Sequence, residues 1–281
     1  MTRKMIALDV DGTLLHSDGS LSRKNLTAIK NGDAGGLYLV INSGRTFYEL
    51  PEQVRGCGCF SYFIYSNGAG IADRSGQILS ATYIDREVSE KILQLLFTCD
   101  VMVEIYRHGR PYTDRKNLNE QVWTDFGVES TYRPVLRETR RGVADLRAFY
   151  LEEPESVEMI HVFFRDPTER LACFDRIGKL PGVKITTSMK NNMEIFSAHA
   201  DKGEALSRLA LLLGVRREEI IAVGDSRNDI PMIRFAGDGV AVGNACDELR
   251  QTADRIVCTN DEDAAASVIM QALAENHLSQ P

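Results

Sequence analysis

Lys4-Met5-Ile6-Ala7-Leu8-Asp9-Val10-Asp11-Gly12-Thr13 is the stretch whose reading decides the fold. Residues 4–10 form a short apolar run that ends in carboxylates, and Gly12 supplies a turn. An apolar run buried on both faces and closing on a polar turn is how a parallel strand of an α/β sheet reads. In such sheets sites form outside the carboxyl ends of the strands. Two carboxylates flanking one apolar residue, then a Gly turn, suit a nucleophile beside a hard cation. The plain alternative, a polar strand end with a turn, has to be decided by the rest of the chain.

Working outward, residues 37–42 (LYLVIN) and 62–65 are further apolar runs, the second followed by Ser66-Asn67-Gly68. Ser22 is placed to cap a helix carrying Leu26 and Ile29, which Gly35-Gly36 would end. The same alternation returns late in the chain. Leu206, Leu209, Ala210 and Leu213 lie at helical spacing after Asp201, and Gly214 closes that helix. Residues 220–223 form an apolar strand running into Gly224-Asp225, with short strands at 239–242 and 255–257. Between these halves the texture changes. Asp85 caps a helix carrying Val88, Ile92, Leu95 and Leu96, and 101–106 reads as a strand. Residues 133–147 read as irregular and basic, and 159–164 as a strand. A helix starts at Asp166-Pro167 and carries Leu171, Phe174 and Ile177, and two more strands follow at 183–188 and 193–196. The first ~80 and last ~90 residues are thus expected to form one parallel α/β domain, with an α+β module inserted.

Three further elements bear on the first motif. Asn42-Ser43-Gly44-Arg45 follows the second apolar run, where a hydroxyl and backbone N–H groups at a strand-to-helix turn can hold a phosphate. Asp201-Lys202-Gly203 opens an amphipathic helix. A Lys there opposes the helix dipole, so a local anion is expected to compensate it; the plain reading is a solvated surface Lys that buries little. Gly224-Asp225-Ser226-Arg227-Asn228-Asp229 packs acids and amides after a buried strand, a donor set suited to Mg²⁺, or else a simple capping turn.

Taken in order, these four elements resemble the four motifs of the haloacid dehalogenase-like superfamily, closest to its Cof-type branch. Ser66-Asn67-Gly68-Ala69-Gly70, Met193-Glu194-Ile195 and Gly239-Val240-Ala241-Val242-Gly243-Asn244-Ala245 are similar to that branch as well. Ser43 stands where Thr is commoner, and Asp263-Ala264-Ala265 lacks a Gly often found there. The resemblance implies an α/β fold with a Rossmann-like parallel-sheet core from residues 1–82 and 194–281 and an inserted α+β cap over 83–193. It implies a Mg²⁺-dependent phosphatase of small phosphate monoesters, sugar phosphates or similar metabolites, acting through an aspartyl-phosphate, with Asp9 as nucleophile, Asp11 as general acid-base and Lys202 as the third catalytic residue. Mg²⁺ would be held by Asp9, the Asp11 carbonyl and Asp225, with Asp229 in support. Ser43, Gly44, Lys202 and Asn228 would bind the phosphate, and Arg45 would reach the substrate. The cap would close over the site and choose the substrate. Its Arg107, His108, Asn191 and Asn192 are expected as ordinary surface unless they face the cleft. A phosphomutase is the nearest alternative; Arg133, Arg137, Arg140 and Arg141 would then grip a second phosphate, against the plainer reading of a solvated basic segment. A non-catalytic protein retaining the fold is the other.

Composition sets the outer limits. A chain of 281 residues with 43% apolar and 26% charged residues can bury a core without staples. A formal net charge of −7 argues against a general nucleic-acid or anionic-membrane surface; the partner that the resemblance implies is a small phosphorylated metabolite. Nothing in residues 1–13 reads as a secretory signal, and no run approaches the ~20 apolar residues of a membrane helix. The six cysteines include a lone Cys57-x-Cys59, read as a loop or small core pair rather than a metal site, and a reducing cytoplasm is the expected home. Oligomeric state is not legible.

Overall fold

The computed structural model describes residues 4–278. Its chain divides into two compact units, one running up to Ser80 and resuming at Asp201, the other spanning Ala81–Ala200. The strands in chain order are β1 (Met5–Leu8), β2 (Tyr38–Asn42), β3 (Tyr62–Tyr65), β4 (Gly70–Asp73), β5 (Ile78–Ala81), β6 (Val101–Arg107), β7 (Arg110–Asp114), β8 (Arg141–Val143), β9 (Met159–Phe164), β10 (Val183–Thr186), β11 (Asn192–Ser197), β12 (Ile220–Gly224), β13 (Asp238–Ala241) and β14 (Arg255–Ile256).

In the first unit the sheet order is β14-β13-β12-β1-β2-β3-β4-β5. From β14 to β3 neighbouring strands are parallel, and β4 turns back antiparallel on β3. All four residues of β1 are fully buried, as a strand covered on both faces requires. Ser22 caps the helix Arg23–Ala34 by accepting from the Asn25 N–H, and Asp201 caps Lys202–Leu213 by accepting from Gly203 and Glu204. Gly214 ends the latter helix in the left-handed conformation. Register then places the chemistry. Leu8 pairs with Ile41 on one side and Val223 on the other. The residues that follow, Asp9, Ser43 and Asp225, therefore leave the sheet at one end, and strand pairing alone gathers the motifs.

The second unit is a six-stranded sheet of order β10-β11-β9-β6-β7-β8, antiparallel apart from the β7–β8 pair. This is the α/β core with a second, inserted mixed sheet that the strand pattern predicts. Alternation along β6 and β9 sends Val103, Ile105, Ile160 and Val162 into one apolar cluster with the helices Arg86–Leu96 and Pro167–Ile177. Met102 and Phe163 join a smaller cluster with Trp123 and Leu136.

Residues 133–147 correct the sequence reading. They form a helix, Arg133–Thr139, and then β8. Arg140 between them is buried. Its Nε and Nη2 donate to the two Glu104 oxygens at 2.9 and 2.8 Å, and Tyr106 and Tyr132 share the site. Arg133 and Arg137 pair with Glu120. Arg140 is therefore committed inside the unit and is not part of a solvated basic segment. Arg107 is not surface either: it is buried and donates to the carbonyls of Phe149, Tyr150 and Glu153 at the end of the helix Leu146–Glu152. Asn192 is buried too. Its Oδ1 accepts from the Ser188 and Met189 N–H groups, so its Nδ2 must donate to His161 Nε2 (3.0 Å), and the ring proton sits on Nδ1 facing Glu104 (3.1 Å).

Candidate active site

Four elements meet at the carboxyl edge of the first sheet. Asp9 follows β1 and is 5% exposed; its N–H donates to the Val223 carbonyl. Lys202, in the first turn of its helix, is 1% exposed. Its Nζ donates to Asp9 Oδ1 at 2.7 Å and to Asp229 Oδ1 at 2.5 Å. The anion expected to compensate this lysine is thus a carboxylate pair. Asp229 uses its second oxygen to accept from the backbone N–H groups of Asp225 and Ser226 (3.1 and 3.0 Å), so it shapes the loop that carries Asp225. Asp225 in turn accepts from Thr13 Oγ1 at 3.0 Å. Gly12 holds φ at 74°, where a side chain is strained, and a Cβ there would lie 2.8 Å from Asp225 Oδ2, so glycine lets the turn after Asp11 close on Asp225.

Charge in this cluster is unbalanced. Asp9, Asp225 and Asp229 each offer a carboxylate oxygen, all within 4.8 Å of one another, against one ammonium. Burial, then repulsion from Asp229, pushes the Asp9 carboxyl well above the ordinary carboxylate range, and Lys202 offsets this only in part. Asp225 is raised for the same two reasons. Lys202 moves upward although burial opposes it, because Asp229 and Asp9 attract its charge more strongly. Closely set, incompletely neutralised hard oxygen donors fit a divalent cation such as Mg²⁺.

Asp11 stands apart from this trio. Its side chain is 55% exposed and takes a two-pronged ion pair from Arg45, with Nε at 2.7 Å and Nη2 at 2.8 Å. Ser43 is buried at the start of the adjoining turn, and its Oγ accepts from the Arg45 N–H. Asn228 lies across from this turn, its Nδ2 donating to Asn67 Oδ1 at 2.9 Å. The structure therefore brings Asp9, Lys202, Asp225 and Asp229 into one cluster and sets Asp11 with Arg45 beside it.

Several residues had no role in the sequence reading, though some stand in the motifs it quotes. Thr13, Asn42 and Asn67 are site neighbours whose roles needed register to see; Asn42 Nδ2 donates to the Lys202 carbonyl. Asn244, inside a stretch already marked by its resemblance, donates to the Gly12 carbonyl, and Asn25 and Asn260 hold the carbonyls of Leu14 and Leu15. Amides thus pin the segment after the Asp11 turn.

Comparison with known proteins bears on this arrangement. The family described as haloacid dehalogenase-like hydrolase matches residues 6–269. Phosphatase YwpJ of Bacillus subtilis (strain 168) is 30% identical over 287 residues, covering 96% of this chain and 100% of that protein. In the same organism, 5-amino-6-(5-phospho-D-ribitylamino)uracil phosphatase YcsE is 28% identical over 272 residues, covering 95% and 94%. A solved haloacid dehalogenase-like hydrolase from Bacteroides thetaiotaomicron has a TM-score of 0.80 at 26% identity, covering 96% of this chain and 99% of that one. Among the described residues no helix is long and apolar enough to cross a membrane.

Proposed function

The chain belongs to the haloacid dehalogenase-like hydrolases and is a phosphatase of small phosphate monoesters, and from that premise we propose that Asp9 is its nucleophile, with sugar phosphates or similar phosphorylated polyols as substrates. The observation that carries this reading is the buried Asp9 carboxylate, held by Lys202 at 2.7 Å at the end of the central strand.

In the first step an Asp9 oxygen attacks phosphorus, the ester P–O bond breaks, and Asp11 gives its proton to the departing alkoxide. In the second step Asp11 takes a proton from water, which attacks the phosphorus of the aspartyl-phosphate; inorganic phosphate leaves and Asp9 is restored. The two carboxylates suit these different tasks. Asp9 is oriented by a lysine and desolvated, whereas Asp11 is half exposed and outside the acidic trio, free to exchange a proton once Arg45 yields. Lys202 neutralises charge where phosphate and Asp9 approach, and Ser43, Gly44 and Asn228 line the phosphate position. Asp9, Asp225 and the Asp11 carbonyl would hold Mg²⁺, with Asp229 fixing Lys202 and the Asp225 loop. Bound there, the ion supplies positive charge that offsets carboxylate–phosphate repulsion.

The identity of the leaving group is assigned to the inserted module, residues 83–193. The name of the relative YcsE, a phosphatase of a ribitylamino uracil phosphate, supports phosphorylated polyols as a class to screen. The test is phosphate release from an aryl phosphate with and without Mg²⁺, then a ranking of sugar and polyol phosphates by kcat/KM. Asp9→Asn is expected to abolish turnover with the fold intact. Residual activity within about tenfold of wild type, about 1.4 kcal/mol in barrier, or normal turnover under chelation, overturns the assignment.

A further inference from the structure

The turn Ser66-Asn67-Gly68 has no role in the mechanism above, yet it is an unusual piece of backbone. Three consecutive residues hold positive φ: Ser66 at 50°, Asn67 at 53° and Gly68 at 93°. Only glycine takes this region freely, and non-glycine residues held there cost free energy and cluster at functional sites. The surroundings enforce the shape. The Ser66 N–H donates to the Arg45 carbonyl (2.8 Å), the Asn67 N–H to the Ser43 carbonyl (3.0 Å), and Arg208 Nη2 to the Gly68 carbonyl (3.2 Å). A Cβ on Gly68 would fall 2.2 Å from the Asp201 carbonyl oxygen, so the turn is wedged between the Ser43–Arg45 backbone and the start of the Lys202 helix.

What this turn presents is the Asn67 amide. Ser226 Oγ lies 2.6 Å from Asn228 Oδ1 and 3.3 Å from Asp229 Oδ2; the latter already accepts two backbone N–H groups, so the hydroxyl proton goes to the nearer Asn228 Oδ1, which directs Asn228 Nδ2 to Asn67 Oδ1. Asn67 Nδ2 is left with no protein acceptor among the described residues, and Asn228 Nδ2 keeps a second N–H. Both nitrogens flank Gly44. The position a Gly44 Cβ would occupy is 3.2 Å from Asn67 Oδ1, the oxygen already taken by Asn228, 3.5 Å from Asn67 Nδ2 and 3.6 Å from Asn228 Nδ2. Glycine at 44 keeps that space open, beside the buried Ser43 hydroxyl.

We propose that Asn67 is a substrate-binding residue: its side-chain amide, set by the left-handed turn and by Asn228, donates to the phosphate group lodged at the Ser43-Gly44 turn. The inference rests on the phosphatase reading of this site. A paired amide of this kind offers neutral donors without adding charge to a cluster that already contains Lys202. It also requires the strained backbone, because an unstrained turn would aim Asn67 elsewhere.

Two substitutions separate binding from scaffolding, with inorganic phosphate as the probe through its competitive inhibition of aryl phosphate hydrolysis. Asn67→Gly relieves the backbone and deletes the amide. Asn67→Asp is nearly isosteric, tolerates left-handed φ, and keeps an oxygen for Asn228, but it replaces a donor with a negative charge. If Asn67 binds the anion, Asn67→Gly raises the phosphate Ki and the substrate KM about tenfold, the loss expected for one hydrogen bond to a charged group, and Asn67→Asp raises both further. A residue that merely holds the turn and Asn228 predicts the opposite order, with Asp the better replacement. That order, or Asn67→Gly within about twofold of wild type, overturns the proposal while leaving the phosphatase reading intact. Wild-type protein that releases no phosphate from any ester overturns both.

Discussion

Lys202 is the side chain on which the core's electrostatics turn. A lysine in the first turn of a helix looks like solvated surface, yet this one is buried against two carboxylates. Removing it would leave Asp9, Asp229 and Asp225 together without a cation. Lys202→Met is therefore expected to cost roughly a hundredfold in kcat, and also about 3–5 kcal/mol of stability near neutral pH, the scale for breaking a buried pair. Denaturant unfolding and kinetics on the same sample check both; unchanged stability would show that the trio sheds its charge in some other way. Glu104 is the corresponding residue of the insert. Burial alone would raise its carboxyl, but the Arg140 guanidinium and the His161 ring more than offset that and hold it far below its ordinary value of 4.5. With a depressed folded value, the unfolded chain binds the proton first. Stability from this group is fully present above about pH 4.5 and drains away as pH falls below it, toward the folded value. Wild-type unfolding midpoints should drop across that acid range, and Glu104→Gln should flatten the drop while costing about 3–5 kcal/mol at pH 7, because Arg140 is left buried and unpaired. A pH profile identical in wild type and variant would contradict this.

At the scale of elements, the approach of the helix Lys202–Leu213 to the helix Ile230–Phe235 fixes where Lys202 sits. Gly203 is the contact. A Cβ there would lie 2.5 Å from the Pro231 carbonyl oxygen, a rigid neighbour. Gly203→Ala raises helix propensity yet is expected to lower stability by about 1–3 kcal/mol through overpacking and to lower kcat with it. A melting temperature above wild type would mean the two helices part freely. Strands such as β1 and β12 were legible because burial on both faces writes itself as an unbroken apolar run, whereas β4, β5, β7 and β8, short or interrupted by polar residues, were not read. The helix starts were legible because Ser22, Asp85, Asp166 and Asp201 cap by local chemistry, each accepting N–H groups two or three residues on. What stayed hidden depends on distant partners. Arg140 reads as one more charge in a basic stretch until Glu104, 36 residues back, is brought against it. Lys202 and Asp9 are 193 residues apart, so the burial of that lysine has no local signature. The left-handed backbone suits Asn67 and Gly68 locally, but at Ser66 it is held by the Arg45 carbonyl, a partner distant in sequence.

At the scale of the whole molecule, each unit has its own apolar core. If the insert selects substrates, a chimaera carrying a relative's counterpart of Ala81–Ala200 on this core should fold, keep phosphate release and adopt the donor's substrate order. A folded chimaera with this protein's original ranking would remove the insert from that role. The strand order has a separate consequence for how the protein is made. Strand β1 lies between β2 and β12, and Leu8 meets Val223 only after the entire insert has left the ribosome. At about 5–20 residues per second, that delay is on the order of tens of seconds. Throughout it the apolar strand β1 is an open edge, able to pair with the wrong chain. The insert's segment is contiguous and ends at Ala200, before β12 begins at Ile220, so it can fold before the core sheet closes. A stalled or truncated chain ending before Ile220 would therefore hold a finished insert attached to half a sheet. It would carry Asp9 and Lys202 but lack Asp225 and Asp229, two of the three carboxylates of the cluster, and would be prone to aggregate.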